Sequence, residues 1–122
     1  MTRNELKLLF VEDDENTREV MSIFLEEYFT HIEVAVDGLD ALKKYENNNF
    51  DVIISDINMP NMSGLELFRK IREKDKNIIL ILTTAYNDEN FIKESEEIGI
   101  NEYFSKPIDV DKLIITLQKI TS

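Results

Sequence analysis

Acidic residues gather directly after a short apolar run near the start of the chain. Residues 6–11 are mostly apolar, and Glu12, Asp13, Asp14 and Glu15 follow them without a break. Charge at the end of a buried strand is costly unless it is paired or binds a cation, so Glu12 and Asp13 need a functional reason. Asp14 and Glu15 instead fit the start of a helix, where the helix dipole stabilises negative charge.

Further reactive side chains stand where later apolar runs end. Asp56 ends the third run, Thr83 and Thr84 end the fourth, and Lys106 follows the fifth. In an open parallel sheet, ligands bind beyond the carboxyl ends of the strands, at the point where the strand order reverses. These side chains are therefore expected to lie at one edge of the sheet.

Three carboxylates meet in one crevice if the strand order is 2-1-3-4-5, because Glu12, Asp13 and Asp56 then lie on neighbouring strands. Such a group repels itself unless a cation lies among its members. A site with few carboxylates and room for water and phosphate oxygens suits Mg²⁺ better than Ca²⁺. With the metal and the fixed charge of Lys106 nearby, Asp56 is a reasonable nucleophile toward phosphorus.

The elements that carry these residues alternate along the chain. Short apolar runs typical of buried strands are separated by segments with helical spacing of apolar residues. The runs are residues 6–11, 32–36, 52–54 and 78–82 and the pair Tyr103 and Phe104. The helical stripes are Val20, Phe24 and Tyr28; Leu39, Leu42 and Tyr45; Leu67 with Ile71 and Leu65 with Phe68; Phe91, Ser95 and Ile98; and Leu113, Leu117 and Ile120.

Helix starts agree with this division. Ser63 followed by Glu66 reads as a capping box, and Asp37, Asn87 and Asp109 stand where N-caps are expected. Five strand-helix pairs result, and parallel strands joined through helices make right-handed crossovers. The predicted fold is a three-layer, doubly wound α/β domain with five parallel strands.

Composition excludes several classes of protein. The 122 residues carry 14 Lys and Arg against 25 Asp and Glu, for a formal net charge of -11, so direct binding to nucleic acid is not expected. No apolar run approaches the roughly 18 residues of a membrane span, and no secretory signal is indicated. The absence of cysteine excludes disulfides. We expect a cytoplasmic protein with one domain over residues 1–122.

Four segments resemble, in order, the signature segments of the receiver domains of two-component response regulators. They are FVEDDEN at residues 10–16, SDINMPNMSG at 55–64, LTTAY at 82–86 and YFSKP at 103–107. The resemblance covers essentially the whole chain. It implies a flavodoxin-like fold and a signalling switch that catalyses only its own aspartyl phosphorylation and dephosphorylation.

The resemblance also implies roles for individual residues. Asp56 would accept a phosphoryl group from a phosphohistidine on a sensor kinase or a phosphotransfer protein. Mg²⁺ would be held by Glu12, Asp13 and Asp56 and by the backbone carbonyl of Asn58. Many receiver domains have Asp at the position of Glu12, so this chain departs slightly from the family pattern there. Lys106 would pair with the phosphoryl group. The peptide bond between the residues that match Lys106 and Pro107 is often cis in the family.

A switch is implied by two more positions. Thr84, which precedes Ala85, matches the hydroxyl residue that moves toward the phosphoryl group, and Tyr103 matches the aromatic residue that then turns inward. The response would alter the surface formed by the fourth helix, the fifth strand and the fifth helix, through which a homodimer could also form. Asn58 and Tyr86 match positions that look onto the attacking water.

Other functions are less consistent with the residues. A phosphate hydrolase with an aspartyl nucleophile needs a second acid two residues later, where this chain has Asn58. A flavin-binding domain is disfavoured because the acids of the first loop would repel a cofactor phosphate. A receiver-shaped module that only docks partners stays as the alternative. The downstream target, a separate protein or a fused output domain, is left open.

Overall fold

The computed structural model describes residues 4–84 and 89–121, and these form alternating strands and helices. The strands are β1 (Asn4–Val11), β2 (Phe29–Ala35), β3 (Val52–Asp56), β4 (Ile79–Thr84) and β5 (Glu102–Ser105). The helices are α1 (Glu15–Glu26), α2 (Gly38–Asn47), α3 (Gly64–Lys74), α4 (Glu89–Ile98) and α5 (Val110–Thr121).

The five strands form one parallel sheet in the order β2-β1-β3-β4-β5. The chain leaves β1 for the edge strand β2 and then returns past β1 to β3, so the direction of winding reverses between β1 and β3. Helices cover both faces, because right-handed crossovers that run in opposite directions along a sheet lie on opposite faces of it. The predicted doubly wound fold and its strand order are confirmed.

Two apolar cores lie on opposite faces of the sheet. Leu8, Phe10, Val52 and Ile54 belong to the core under α1 and α5, while Leu9 and its neighbours Val11, Ile53, Leu80 and Leu82 belong to the core under α2, α3 and α4. This alternation within nearly continuous apolar runs is expected of strands that are buried on both faces. It also decides which strand-end side chains share a face.

Strand ends differ from the sequence predictions by a few residues. β2 begins at Phe29 instead of residue 32, and β4 ends at Thr84, as predicted, two residues beyond the apolar run. Both strands extend beyond their apolar runs because polar residues are included in a strand when their backbone groups pair with a neighbour. Thr83 and Thr84 pair with β5, although hydrophobicity alone ends the run before them.

The predicted buried stripe of α1 is wrong. Val20 is 52% exposed and Phe24 is 46% exposed, whereas Met21 and Leu25 are buried. The apolar residues of α1 form two neighbouring stripes, each with i, i+4 spacing, and periodicity cannot tell which one meets the sheet. A smaller error of the same kind occurs in α2, where Leu39 is 51% exposed.

The remaining stripes are confirmed. Phe91, Ser95 and Ile98 of α4 are buried, as are Leu113 and Leu117 of α5. α3 likewise buries most of its stripe, which is formed by Leu67, Phe68 and Ile71. No helix among the described residues is both long and apolar enough to cross a membrane.

Side chains cap four helices, at the predicted caps Asp37, Ser63 and Asp109 and at Asp14, which was predicted only to lie at the start of a helix. The carboxylates of Asp14 and Asp37 and the hydroxyl of Ser63 accept a hydrogen bond from a backbone N–H three residues later. The carboxylate of Asp109 does the same for α5. These bonds satisfy donors that the first helical turn leaves without a partner. Asn87, the fourth predicted cap, lies outside the described residues.

The burial pattern of α1 leads to a stability prediction. Replacing Leu25, which is 0% exposed, by Ala should lower the free energy of unfolding by about 2–5 kcal/mol, because it leaves a cavity under the helix. The matched change Ile23→Ala, at a side chain that is 64% exposed, should cost no more than about 0.5 kcal/mol. Urea unfolding of both variants measures the difference, and equal losses would contradict the assigned buried face.

Candidate functional site

The reactive side chains lie together because the strands that carry them end in register. Val11 pairs with Ser55, and Asp56 pairs with Thr83, so β1, β3 and β4 end at the same edge of the sheet. Lys106 is joined to the end of β4 by a hydrogen bond from its backbone N–H to the carbonyl of Thr84. The carboxyl edge of the sheet therefore holds the predicted site residues.

Glu12, Asp13 and Asp56 form an acidic cluster, with one carboxylate oxygen from each lying within 4.8 Å of the others. The side chain of Glu12 is 2% exposed and that of Asp56 is 12% exposed, whereas Asp13 is exposed. A hard divalent cation fits this donor set, since all three ligands are carboxylates and the exposed side leaves room for water. The cluster could thus hold a metal ion such as Mg²⁺.

The ammonium of Lys106 lies between two of these carboxylates. Its Nζ donates hydrogen bonds to Glu12 Oε1 at 2.5 Å and to Asp56 Oδ2 at 2.7 Å. The Lys106–Pro107 peptide bond is cis. Contact with two carboxylates offsets the repulsion between them, because the charge-assisted bonds form in a partly buried site.

The charged side chains of this group shift one another's pKa. Burial raises the pKa of Glu12 above its usual range, and the hydrogen bond and charge of Lys106 only partly oppose this effect. For Lys106 itself, burial acts to lower the pKa, but the hydrogen bonds and charges of Asp56 and Glu12 outweigh it and the pKa is raised. Lys106 is therefore held in its charged form, as a fixed cation must be.

A second cation, Arg18, contacts the loop that carries two of the acids, and this contact was not predicted from the sequence. Arg18 of α1 donates from Nη1 to the carbonyl oxygen of Glu12 at 2.8 Å. The N–H of Glu12 donates to the carbonyl of Ala35, and one carboxylate oxygen of Glu12 accepts from the N–H of Asp14. One sequence feature could have indicated this role of Arg18. It is an arginine in the first turn of a helix, where the helix dipole disfavours positive charge.

The turn after Asp56 packs tightly against the peptide of that residue. A Cβ at Gly64 would lie 2.2 Å from the carbonyl oxygen of Asp56, and the N–H of Gly64 donates to the carbonyl of Ile57. Asn58 is exposed within this turn. Asn61 has a φ of 70 and donates from Nδ2 to the N-cap carboxylate of Asp37. This contact between Gly64 and the Asp56 peptide was not predicted, because it depends on the path of the turn and not on spacing along the chain.

Alternation along β4 distinguishes the two threonines. Leu80 and Leu82 face α2, α3 and α4, so Thr84 lies on that face and Thr83 on the other. Thr84 is 4% exposed. Tyr103 is 40% exposed, and its ring meets that of Phe91 edge-on, with the centroids 5.8 Å apart. Thr84 and Tyr103 therefore share the face that α4 covers, whereas Tyr86 and Ala85 lie outside the described residues.

An apolar groove of about 560 Å³ opens beside the acidic cluster, between α1 and the segment that follows β5. Glu12 and Lys106 line its end nearest the cluster, and the half-exposed side chains of Val20 and Phe24 form its wall on α1. Ile108 contributes to the opposite wall. The groove thus connects the acidic cluster to an exposed apolar surface.

Several known proteins are similar to this chain in sequence. Sporulation initiation phosphotransferase F of Bacillus subtilis is 32% identical over 114 residues, which are 93% of this chain and 91% of that protein. The CAI-1 autoinducer sensor kinase/phosphatase CqsS of Vibrio cholerae is 35% identical over 116 residues. The chain spans only 17% of CqsS, and it spans 29% and 27% of two other long relatives.

Solved structures agree in fold and length. Chemotaxis protein CheY4 of Vibrio cholerae superposes with a TM-score of 0.86 at 32% identity, covering 96% of this chain and 99% of that one. The CheY-like receiver domain protein of Methanospirillum hungatei gives a TM-score of 0.88 at 26% identity, covering 95% and 93% of the two chains. Residues 8–118 match the family described as the response regulator receiver domain, and this chain belongs to that family.

Proposed function

We propose that residues 1–122 act as one phosphorylation-dependent switch of a two-component pathway in the cytoplasm. Asp56 would accept a phosphoryl group from a phosphohistidine on a sensor histidine kinase or a phosphotransfer protein. The observation that carries this proposal is the position of Lys106, whose ammonium contacts both Asp56 and Glu12 beside an exposed Asp13. Membership of the receiver family supports it, since receiver domains are signalling switches that work with such donors and with output domains.

The transfer step uses groups at the carboxyl edge of the sheet. A carboxylate oxygen of Asp56 forms a bond to phosphorus while the bond from phosphorus to the donor imidazole breaks. The imidazole leaves with the electron pair of that bond and takes up a proton. The ammonium of Lys106 already lies 2.7 Å from Asp56 Oδ2. It can therefore pair with the negative charge of the phosphoryl oxygens after only a short movement.

Magnesium would be held by Glu12, Asp13 and Asp56 and by the backbone carbonyl of Asn58. When bound, it would neutralise charge on the phosphoryl oxygens as they approach Asp56. The exposed Asp13 and Asn58 leave that side of the site open to water and to the donor. Glu12 would help to hold the metal while it also accepts the hydrogen bond from Lys106.

The response would be carried through Thr84 and Tyr103. Phosphorylation of Asp56 is proposed to draw the hydroxyl of Thr84 toward the new oxygens and to allow Tyr103 to turn inward. Their common position on the face covered by α4 supports this coupling, as does the half-exposed Tyr103 ring against Phe91. The α4-β5-α5 surface, where Ile115 is also 51% exposed, would then change its fit for a target, an output domain or a second copy of the chain.

Thr84→Ala should separate transfer from response. The rate of phosphorylation of Asp56 should fall by no more than about tenfold, because one hydroxyl hydrogen bond contributes about 0.5–1.5 kcal/mol. In the wild type, phosphorylation should shift the NMR signals of the Tyr103 ring. In the variant this shift should be absent. If the ring signals of the variant shift as in the wild type, the coupling is wrong.

The apolar groove beside the cluster is the surface proposed for the phosphodonor protein. It ends at Glu12 and Lys106, so a helix lying on Val20 and Phe24 could present a phosphohistidine to Asp56. Half-exposed apolar side chains next to reactive groups are typical of interaction surfaces. The groove therefore supports a protein as the donor.

Intact mass after incubation with acetyl phosphate tests the proposed function. A single phosphoryl adduct should form with Mg²⁺, should be absent after chelation, and should be absent from Asp56→Ala. A known receiver domain labelled in parallel controls the reagent, and circular dichroism checks that the variant is folded. A folded wild-type chain that forms no adduct would favour a module that only docks partners.

A further inference from the structure

Arg18 contacts the loop that carries Glu12 and Asp13, and it does so from an unusual position for an arginine within α1. It is the fourth residue of α1, where the helix dipole makes positive charge unfavourable. Its Nη1 reaches back to the carbonyl oxygen of Glu12 at 2.8 Å and also lies 3.5 Å from the carbonyl oxygen of Asp13. Both carbonyls belong to residues whose side chains are in the acidic cluster.

Arg18 makes these contacts with backbone carbonyl oxygens and not with a carboxylate. Among residues 4–84 and 89–121, the ion pairs involve other cations, and Arg18 is in none of them. Arg18 is partly buried, and its guanidinium stays charged at any ordinary pH. A permanent donor is thus aimed at the backbone that links Glu12 to Asp13.

We propose that Arg18 is a positioning residue for the metal ligands, which holds the Glu12 and Asp13 peptides so that both carboxylates face Asp56. This inference rests on the proposed function, since it assumes that the cluster binds Mg²⁺. The N–H of Glu12 is already tied to Ala35 of β2, so Arg18 ties the carbonyl side of the same residue. Two anchors on one residue restrict the direction of its side chain.

The charge and the hydrogen bonds of Arg18 have opposite effects on Mg²⁺ affinity. A nearby positive charge repels the metal, so its removal alone would tighten binding. Loss of the hydrogen bonds frees the loop, and the metal must then order it again, which weakens binding. Because the guanidinium is partly solvated, screening reduces the repulsion, and the positioning effect should dominate. The sign of the change in affinity therefore separates the two roles.

Mg²⁺ titrations followed by the amide NMR signals of the β1 to α1 loop test this inference. For Arg18→Ala we expect the Mg²⁺ dissociation constant to rise by about tenfold, the lower end of the range for residues that orient metal ligands. Arg18→Lys, which keeps a charged donor, should recover part of the affinity. Arg69→Ala is the matched control, because Arg69 lies on α3 and pairs with Glu94 at 2.6 Å.

Each result decides between roles. An unchanged dissociation constant for Arg18→Ala, with lower stability in urea, would make Arg18 a purely structural residue and overturn the inference. Tighter binding would show that charge repulsion dominates and would also overturn it. If the wild type binds Mg²⁺ and is phosphorylated, either result leaves the proposed function standing. A wild type that binds no Mg²⁺ would overturn the metal part of the proposed function together with this inference.

Discussion

Replacing Lys106 by Met is expected to slow phosphorylation of Asp56 by acetyl phosphate by about 10²–10³-fold, the usual cost of removing one preorganised electrostatic contact. Met keeps most of the length and apolar stem of Lys but removes the ammonium that contacts Asp56 and Glu12. Intact mass measured over time at saturating Mg²⁺ gives the rate. Lys112→Met, at an exposed position of α5, is the matched control and should react as the wild type does.

Stability must be measured beside that rate. Glu12 is 2% exposed, so loss of Lys106 removes a positive partner from a buried carboxylate. When no metal is present, we expect the variant to unfold at a lower urea concentration than the wild type. Added Mg²⁺ should restore the lost stability of the variant. A folded Lys106→Met protein that reacts at the wild-type rate would show that the ammonium does not act on the transferring group.

Gly64→Ala should reduce both stability and phosphorylation. The added Cβ would lie 2.2 Å from the carbonyl oxygen of Asp56, and backbone atoms on both sides leave little freedom to move apart. Overpacking of this kind costs about 1–3 kcal/mol of unfolding free energy. Displacement of the Asp56 peptide should also slow phosphorylation by about tenfold or more, because transfer depends strongly on the position of the nucleophile.

A second glycine provides the control for this prediction. A Cβ at Gly38 would lie 2.4 Å from the carbonyl oxygen of Met62, so Gly38→Ala also overpacks a backbone contact but does not touch Asp56. Urea unfolding should show losses of similar size for the two variants. Phosphorylation rates, measured by intact mass, should fall much further for Gly64→Ala. Equal rates would mean that the Asp56 peptide tolerates the shift.

The arrangement of acids and lysine depends on one property of parallel sheets. Their strands end at the same edge, so residues far apart in sequence meet without any long loop. Asp56 and Lys106 are thus joined by a 2.7 Å contact across 50 residues of chain, and Lys106 reaches Glu12 across 94. This explains why the proximity of these side chains could be predicted from strand-end positions.

What the sequence by itself determined is the order of elements and the residues at the strand ends. Alternating strand and helix patterns were sufficient for the doubly wound fold, because parallel strands require crossovers. Acids after the first and third apolar runs then indicated a shared crevice containing Glu12, Asp13 and Asp56. Local caps at Asp37, Ser63 and Asp109 could also be predicted, since each depends on residues within one turn.

Only the tertiary structure decided features that depend on contacts between distant segments. Which stripe of α1 is buried depends on the sheet beneath it, and two stripes with the same spacing were available. Assignment of Thr84 to the face covered by α4 required the alternation of the neighbouring leucines in β4. The contacts of Arg18 with the Glu12 carbonyl and of Gly64 with the Asp56 peptide depend on the path of the backbone. Residue type and spacing along the chain do not specify that path, because it results from the packing of the whole domain.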